Sequence, residues 1–283
     1  MRHAGLVSTV LLALLDAHPD GPAWARPWLD ETLRANLPGY HSDTGSSDES
    51  LRGWSVGAAW GNETLVQSRP IVRGRSIDPL DDLLRTPASC VVAAFGVYSA
   101  SRDGLVVPPA VRLSRFRRWL GVRAGVSLEP GRAAEFRERL PGFLSRHQVD
   151  RSDGELVFLS FLALLHERGG LRKTYSPPEM IREALAGTVE RLGLDPPHNM
   201  MVSDGRTFAM LHRGGALLSF EPPASETPAD TTFAVSGKRF GTRRTNLLLH
   251  SVQAPDTTPQ HGGERVAEGV FSLDVRQPRD LTR

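Results

Sequence analysis

The stretch Met1–Ser8 (MRHAGLVS) opens the chain and decides how the rest of it is interpreted. Its apolar second half predicts a first core strand, and the apolar run Val10–Leu15 is interpreted as a helix that follows this strand. Two later stretches belong with it: Trp119–Gly125 (WLGVRAG), which has a strand pattern, and Ser152–Phe158 (SDGELVF), which begins a helix. A strand-rich first part therefore precedes a helical middle.

Strand patterns dominate the first half of the chain. Gly53–Trp60 and Glu63–Ser68 are separated by the dipeptide Gly61-Asn62, which is a signal for a two-residue hairpin loop. Ser89–Ser99 is the strongest candidate for a buried strand, and Phe116–Val126 continues the strand pattern. Weaker patterns predict helices at Ala23–Leu37 and Pro79–Leu84 and a strand at Leu105–Arg112.

Helices are predicted in the middle of the chain and strands at its end. Ala133–Arg146, Glu155–Glu167 and Glu179–Leu192 have helical spacing, and the second is apolar on almost all sides, which predicts burial between layers. The last third predicts strands at Asn199–Ser203, Thr207–Arg213, Ala216–Phe220, Thr245–Val252 and Val266–Val275. The first three are predicted to form a meander of hairpins with turns at Asp204-Gly205 and Gly214-Gly215. No internal repeat or long linker interrupts this order, so residues 1–283 are predicted to form a single α+β domain.

Composition excludes several classes of protein. With 283 residues, of which 40% are hydrophobic and 23% charged, the chain can bury a substantial core. The formal net charge is only +2, so no nucleic-acid partner is predicted, and the basic run Arg112–Arg123 is interpreted as one solvated and one buried face of a strand. The single cysteine, Cys90, excludes an internal disulfide and a CxxC site, and its apolar surroundings predict a buried, inert thiol.

The histidines give no sign of a metal site. Nine histidines are present, but none forms a His-x-x-x-His pair or has ligand spacing to acidic residues. His198, His212 and His250 are interpreted as surface or capped residues at strand ends. Neither a metal nor a cofactor is predicted.

The beginning of the chain bears on its location. Residues 4–15 are apolar and Ala23-Trp-Ala25 follows, a pattern that a signal peptide would also give. The charged region before the apolar run is thin and the cleavage motif lies far from it, so we expect a cytoplasmic protein. No segment reaches the ~18–20 apolar residues of a membrane span. Lysine occurs only at Lys173 and Lys238 among many arginines, which is typical of a GC-rich bacterial genome.

Three motifs, in this order, resemble those of the class II glutamine amidotransferases. Gly53–Trp60 (GWSVGAAW) resembles the Asp-Gly-Trp-Gly-x-Gly-Trp strand of that family, and Ser152–Phe158 resembles its Thr-Asp-Ser-Glu-x-Leu-Phe signature. Asn199–Gly205 (NMMVSDG) is similar to the Asn-Leu-Leu-Leu-Ser-Asp-Gly hairpin of the short, stand-alone branch. The resemblance implies the four-layer αββα sandwich of the N-terminal nucleophile hydrolases over the whole chain.

The same resemblance implies that most of the glutaminase groups are missing. Arg2 stands where the family has its nucleophilic cysteine, Tyr98 replaces the arginine that grips the substrate carboxylate, and Ala124 replaces the asparagine of the oxyanion hole. Gly125 and Asp153 are retained. Both also have structural interpretations, Gly125 in a tight turn and Asp153 as part of a helix N-cap.

Two functions remain open at this point. The first is a degenerate amidotransferase-like protein that lacks glutaminase activity and serves as a binding or scaffold subunit in a bacterial biosynthetic pathway. Its partner would be a synthetase or amidotransferase subunit, or a small amide or amino-acid-like ligand. The second is an enzyme that uses Tyr98, Arg123 and Asp153 for amide or γ-glutamyl hydrolysis or transfer, or for a cofactor-free condensation. In either case the candidate pocket consists of Arg2, Trp54, Tyr98, Arg123, Gly125 and Asp153.

Overall fold

A computed structural model describes residues 6–17, 26, 30, 50–60, 63–71, 88–99, 112–125, 128–149, 151–220, 233–235, 238–240, 246–251 and 264–274. In these residues the chain forms a mixed α/β structure with two large antiparallel sheets and few helices. Arg2, the helix predicted at Pro79–Leu84 and most of the strand predicted at Leu105–Arg112 lie outside the described residues, and of Ala23–Leu37 only Arg26 and Asp30 are described, both helical.

The strands are, in chain order, β1 Leu6–Ala17, β2 Ser50–Trp60, β3 Glu63–Ile71, β4 Ala88–Ser99, β5 Ser114–Phe116, β6 Trp119–Gly125, β7 His198–Ser203, β8 Thr207–Arg213, β9 Ala216–Phe220, β10 Phe233–Val235, β11 Lys238–Phe240, β12 Asn246–Ser251, β13 Glu264–Arg265 and β14 Gly269–Asp274. The larger sheet has seven strands in the order β13-β9-β12-β1-β4-β2-β3, and the smaller has five in the order β14-β8-β7-β6-β5. Strands β10 and β11 form a separate pair.

The helices whose bounds the structure describes lie between β6 and β7 in the sequence. They are α1 Pro130–Arg139, α2 Gly142–Ser145, α3 Asp153–Glu167 and α4 Pro178–Leu192, with a short 3₁₀ helix at Gly170–Arg172. The prediction of one helix over Ala133–Arg146 was wrong because Pro141 interrupts it. A residue before proline avoids the α region, and Leu140 accordingly has extended dihedral angles, φ −63° and ψ 136°.

The run Val10–Leu15 is part of β1, so its prediction as a helix was also wrong. β1 lies between β4 and β12, with Val10 opposite both Phe95 and Ser251. Leu12, within this run, has no exposed surface. A short, continuous apolar run is equally compatible with a helix and with a strand buried on both faces, and periodicity cannot separate them.

The two sheets pack face to face, and helices cover the smaller sheet. Leu11 and Val92 of the larger sheet belong to one buried cluster with Leu120 and Met210 of the smaller. The opposite face of the five-stranded sheet packs on the helices through the buried residues Trp119, Met200, Phe158, Phe161 and Leu185. The described residues thus form three layers: helices, five-stranded sheet and seven-stranded sheet.

The outer face of the seven-stranded sheet is also buried in part. A Cβ atom at Gly57 would lie 3.2 Å from Leu120, so Gly57 faces the smaller sheet, and side chains alternate along a strand. Trp54, Val56 and Ala58 therefore face outward, yet their exposed fractions are only 1%, 6% and 2%. The side chains at these three outward positions are therefore buried.

Two predicted connections differ from the structure. The strand predicted at Phe116–Val126 is a tight hairpin of β5 and β6, in which Arg117 adopts a positive φ of 54°. The turn Gly214-Gly215 does not close a hairpin, because β8 belongs to the five-stranded sheet and β9 to the seven-stranded one. The hairpins at Gly61-Asn62 and at Asp204-Gly205 are confirmed by the pairing of β2 with β3 and of β7 with β8.

No helix among the described residues has the length and apolar character needed to cross a membrane.

Candidate functional site

Contacts between the sheets distinguish the two ends of the sandwich. At one end, Thr64 Oγ1 donates a hydrogen bond of 2.9 Å to the Arg117 carbonyl, and Arg115 Nη1 donates one of 3.2 Å to the Thr64 carbonyl. We call this the turn end. β6 runs away from it toward Gly125, and β2 begins at the other end, at Ser50. Gly125 therefore lies at the opposite end of the sandwich, which we call the site end.

Arg123 lies near the site end, on the face of the smaller sheet that is turned toward the helices. Its Nε and Nη2 atoms are 3.4 and 3.3 Å from Nε2 and Nδ1 of His198 on the neighbouring strand. His198 is buried, with 1% of its surface exposed, and pairs directly with Arg213 of β8. A guanidinium group thus faces both nitrogens of a buried imidazole.

The imidazole of His198 is neutral. Burial lowers its pKa to about 3, and the positive charges of Arg123 and Arg213 contribute to the shift. A neutral imidazole has one acceptor nitrogen, so only one of its two contacts with Arg123 is a hydrogen bond. Burial also lowers the pKa of Arg123, to about 10, although the charge of Asp153 opposes this shift. Arg123 remains a cation at neutral pH.

Asp153 has a structural partner. Its Oδ2 atom accepts a hydrogen bond of 2.7 Å from the backbone N–H of Leu128, which follows β6. Asp153 is the first residue of α3, and Ser152 caps that helix by accepting a hydrogen bond of 3.1 Å from the Glu155 N–H. The retained carboxylate therefore holds the segment after β6 against the start of α3.

Ala124 and Gly125 occupy the position where the resemblance places an oxyanion hole. The side chain of Ala124 is 3% exposed and belongs to the apolar cluster between the sheets, so it brings no hydrogen-bond donor. Gly125 is the last residue of β6 and has a φ of 155°. A Cβ atom there would lie 2.7 Å from the Pro197 carbonyl oxygen. The close approach of Pro197 and His198 therefore leaves no space for a side chain at this position.

A second polar cluster lies on the opposite face of β7 and β8. Asn199 Oδ1 is 2.8 Å from His212 Nδ1 and accepts a hydrogen bond of 3.0 Å from the Arg213 N–H, while its Nδ2 donates to the Gly214 carbonyl at 3.0 Å. Because the amide oxygen only accepts, His212 carries a proton on Nδ1. Glu268 Oε1 accepts a hydrogen bond of 2.9 Å from the Gly214 N–H. Burial lowers the pKa of His212, and the Glu268 charge opposes the shift.

The sequence interpretation missed these histidines. His198 and His212, predicted to be surface or capped residues, are 1% and 2% exposed, so the prediction of surface positions was wrong. The side chain of His250 lies outside the described residues. One sequence signal was available: Asn199 begins the motif NMMVSDG, and its side chain is the centre of the second cluster.

The structure brings only some of the candidate residues together. Arg123, Gly125 and Asp153 lie at the site end of the smaller sheet. The backbone of Tyr98 lies at the same end of the larger sheet, where β4 pairs with Leu6 of β1. Trp54 belongs to the outward face of the larger sheet and is turned away from the smaller one.

Cys90 lies away from the site end, in the core between the sheets. It is fully buried in β4, as the sequence predicts. Burial raises the pKa of its thiol to about 12, while a hydrogen bond with Ser203 opposes the shift. Among the described residues, no group of three or more His, Cys, Asp or Glu side chains could hold a metal ion.

Comparison with known proteins gives structural similarities at low identity. One similar structure is a glutamine aminotransferase class II domain protein from Silicibacter pomeroyi. The similarity covers 80% of this chain and 98% of that protein, with 12% identity and a TM-score of 0.47. A glutamine amidotransferase from Pseudomonas aeruginosa, described as predicted, is similar over 94% of this chain and 98% of its own, with 12% identity and a TM-score of 0.49.

A larger enzyme has a similar level of resemblance. It is the glutamine phosphoribosylpyrophosphate amidotransferase from B. subtilis. The similarity covers 94% of this chain and 49% of the length of that enzyme, with 10% identity and a TM-score of 0.49. No protein-family model matches the sequence, and no curated protein does. At these identities and TM-scores, the similarities assign neither a family nor an activity.

Proposed function

We propose that this protein is a degenerate class II glutamine amidotransferase-like protein that lacks glutaminase activity and acts as a binding or scaffold subunit. The observation that carries the proposal is that Arg123 and Asp153, two of the candidate polar groups at the site end, are engaged within the protein. Asp153 accepts a hydrogen bond from Leu128, and the Arg123 guanidinium lies against His198. Ala124 offers no polar group to a substrate, because its side chain is buried in apolar surroundings.

The proposal includes a fold and a setting. The buried outward face at Trp54, Val56 and Ala58 supports a fourth layer over the seven-stranded sheet, which would complete an αββα sandwich in one domain over residues 1–283. The setting is the cytoplasm of a bacterium, in a biosynthetic pathway. The partner is a synthetase or amidotransferase subunit, or a small amide or amino-acid-like ligand.

Glutaminase activity is the direct test. The purified protein is incubated with glutamine, and ammonia release is measured beside an active class II amidotransferase as a positive control. We expect no release above that of buffer, because loss of one oxyanion donor alone typically lowers the rate ~10²–10³-fold and the nucleophile is also missing. Release that depends on the protein and disappears in Asp153→Ala would refute the proposal.

One observation favours the second function, an enzyme with a changed substrate. A half-buried arginine that remains a cation could bind an anionic group, and Tyr98 and Asp153 are the other polar residues of the candidate pocket. The test is a thermal-shift screen of amides, γ-glutamyl compounds and amino acids against the protein and Arg123→Met. A compound that stabilises the protein but not Arg123→Met, and is converted by the protein, would favour the enzyme over the scaffold.

A further inference from the structure

The turn end of the sandwich carries a cluster of basic residues that neither proposed function uses. Three segments meet there: the β5–β6 hairpin, the 3₁₀ helix with its following residues, and the β7–β8 turn. The basic side chains of these segments form what we call the basic rim: Arg115, Arg117, Arg118, Arg172, Lys173 and Arg206.

Contacts join the three segments into one surface. Arg118 Nη2 donates a hydrogen bond of 2.9 Å to the Lys173 carbonyl, and its Nε lies 3.6 Å from Asp204 Oδ2 in the β7–β8 turn. Arg206, two residues beyond Asp204, places its guanidinium carbon 4.3 Å from the centre of the Tyr175 ring. The rim therefore runs without interruption from the β5–β6 hairpin to the β7–β8 turn.

Much of the positive charge of the rim forms no ion pair with the described residues. Arg115, Arg117, Arg172 and Lys173 are exposed, and no carboxylate of the described residues lies within 4 Å of their charged atoms. Arg115 bonds instead to a backbone carbonyl, which satisfies a donor but leaves the charge. Asp204, the acidic group nearest to Arg118, is buried and does not face an approaching partner.

This concentration of charge is local. The chain as a whole has 34 basic and 32 acidic residues, so its average surface is almost neutral. An uncompensated basic surface on a nearly neutral protein attracts an acidic partner through complementary charge, and the planar guanidinium group binds carboxylates in a bidentate manner.

The aromatic residues of the rim argue against single-stranded nucleic acid, which binds by stacking its bases on exposed rings. Phe116 is 3% exposed and packs edge-on against His147, at 4.9 Å between ring centroids. One face of the Tyr175 ring is covered by Arg206. Among the described residues of the rim, one aromatic ring is buried and the other has a face covered, which leaves little ring surface for base stacking.

From these observations we infer that the basic rim is a docking surface for an acidic segment of a partner protein. The inference rests on the proposed scaffold function, for which it supplies the surface and the chemistry of the partner. The site end and the rim lie at opposite ends of the sandwich, so the partner would leave the Arg123 region uncovered.

The test uses the full-length protein and two labelled probes of equal formal charge, an oligo-glutamate peptide and a single-stranded DNA oligonucleotide. Fluorescence anisotropy is measured at low and at physiological salt for the protein, for Lys173→Glu and for Arg117→Asp, since aspartate tolerates the positive φ of residue 117. Arg182→Glu is the matched control, because this exposed residue of α4 lies outside the rim and undergoes the same change of charge as Lys173→Glu.

We expect the peptide to bind the protein more tightly than the oligonucleotide does, with an affinity that falls as salt increases. Each rim variant should weaken peptide binding several-fold, and Arg182→Glu should not. Tighter binding of the oligonucleotide, binding of neither probe, or equal effects of Lys173→Glu and Arg182→Glu would each overturn the inference. None of these results affects the absence of glutaminase activity, which is measured separately, and circular dichroism shows whether each variant is folded.

Discussion

Arg123 and His198 are diagonal neighbours on adjacent strands, and two nitrogen atoms of the arginine lie 3.3 and 3.4 Å from the two ring nitrogens of the histidine. The pairing register places Met200 directly opposite Arg123 and Gly125 directly opposite His198. Burial, together with the cation held against it, keeps the imidazole of His198 neutral, and this gives the protein a specific dependence on pH.

The stability of the protein should fall as the pH is lowered from about 6.5 toward 3. The unfolded chain binds a proton at His198 near the ordinary pKa of 6.5, whereas the folded protein, in which burial and the charges of Arg123 and Arg213 lower that pKa to about 3, does not. Between these values the unfolded state holds more protons, so acid favours unfolding by up to about 1.4 kcal/mol per pH unit. Urea unfolding from pH 7.5 to pH 4.5 measures the slope.

Two variants isolate the contribution of His198. His198→Gln removes the titrating group, so its stability should depend less on pH over the same range. Arg123→Met removes one positive charge, so the pKa of His198 should rise toward its ordinary value in an NMR titration. An imidazole that titrates near 6.5 in the folded wild-type protein would contradict this account.

The charge of Arg123 is expected to destabilise the folded protein. Burial lowers its pKa, which means that the fold disfavours the charged form. Arg123→Met keeps a long side chain and removes a charge whose desolvation costs stability, an effect that exceeds the lost attraction to Asp153 because the net shift of the Arg123 pKa is downward. We therefore expect a midpoint of thermal unfolding equal to or above that of the wild type, with Arg139→Met on the exposed face of α1 as the control. A marked loss of stability in Arg123→Met alone would show that the arginine serves the fold.

The sequence predicted the elements whose signals are local. The hairpin of β2 and β3 follows from the dipeptide between them, and α3 follows from Ser152 at its N-cap and an apolar run that is long enough to exclude a strand. The run Val10–Leu15 was misassigned because its partners, β4 and β12, lie far away in the sequence.

The candidate site was predicted in part for the same reason. Arg123, Gly125 and Asp153 could be named from motifs, because motifs record the order of residues. The contact between Arg123 and His198 depends on the register of β6 against β7, and the contact of Asn199 with His212 depends on that of β7 against β8. No pattern within either segment reports these registers, so both histidines were interpreted as surface or capped residues.

Glu155 should contribute more to stability than the capping residue of its helix. This carboxylate is 7% exposed and accepts hydrogen bonds of 2.6 Å from the Val149 N–H and 2.9 Å from the Arg151 N–H. Glu155→Ala leaves both donors without this acceptor and should cost about 3 kcal/mol. Glu155→Gln keeps one acceptor oxygen and should cost about half as much, and Ser152→Ala should cost about 1 kcal/mol.

The order of these three variants is measured by urea unfolding at neutral pH. Equal losses for Glu155→Gln and Glu155→Ala would mean that the negative charge matters more than the two hydrogen bonds. A loss for Ser152→Ala larger than that for Glu155→Ala would contradict the assignment of the carboxylate as the group that holds the 149–151 segment.

Two glycine-to-alanine substitutions should have opposite effects. Gly121 lies on β6 under Phe158, and a Cβ atom there would come within 2.7 Å of Cε2 of this ring, which is 1% exposed and has no room to move. Gly121→Ala should therefore destabilise the protein by about 2–3 kcal/mol through overpacking.

Gly131 is the second residue of α1, and a Cβ atom there meets no atom within 4 Å. Gly131→Ala should stabilise by about 0.5 kcal/mol, because alanine loses less backbone entropy on folding. Urea unfolding of both variants measures the two effects. If Gly121→Ala were as stable as the wild type, Phe158 would have to shift away from β6.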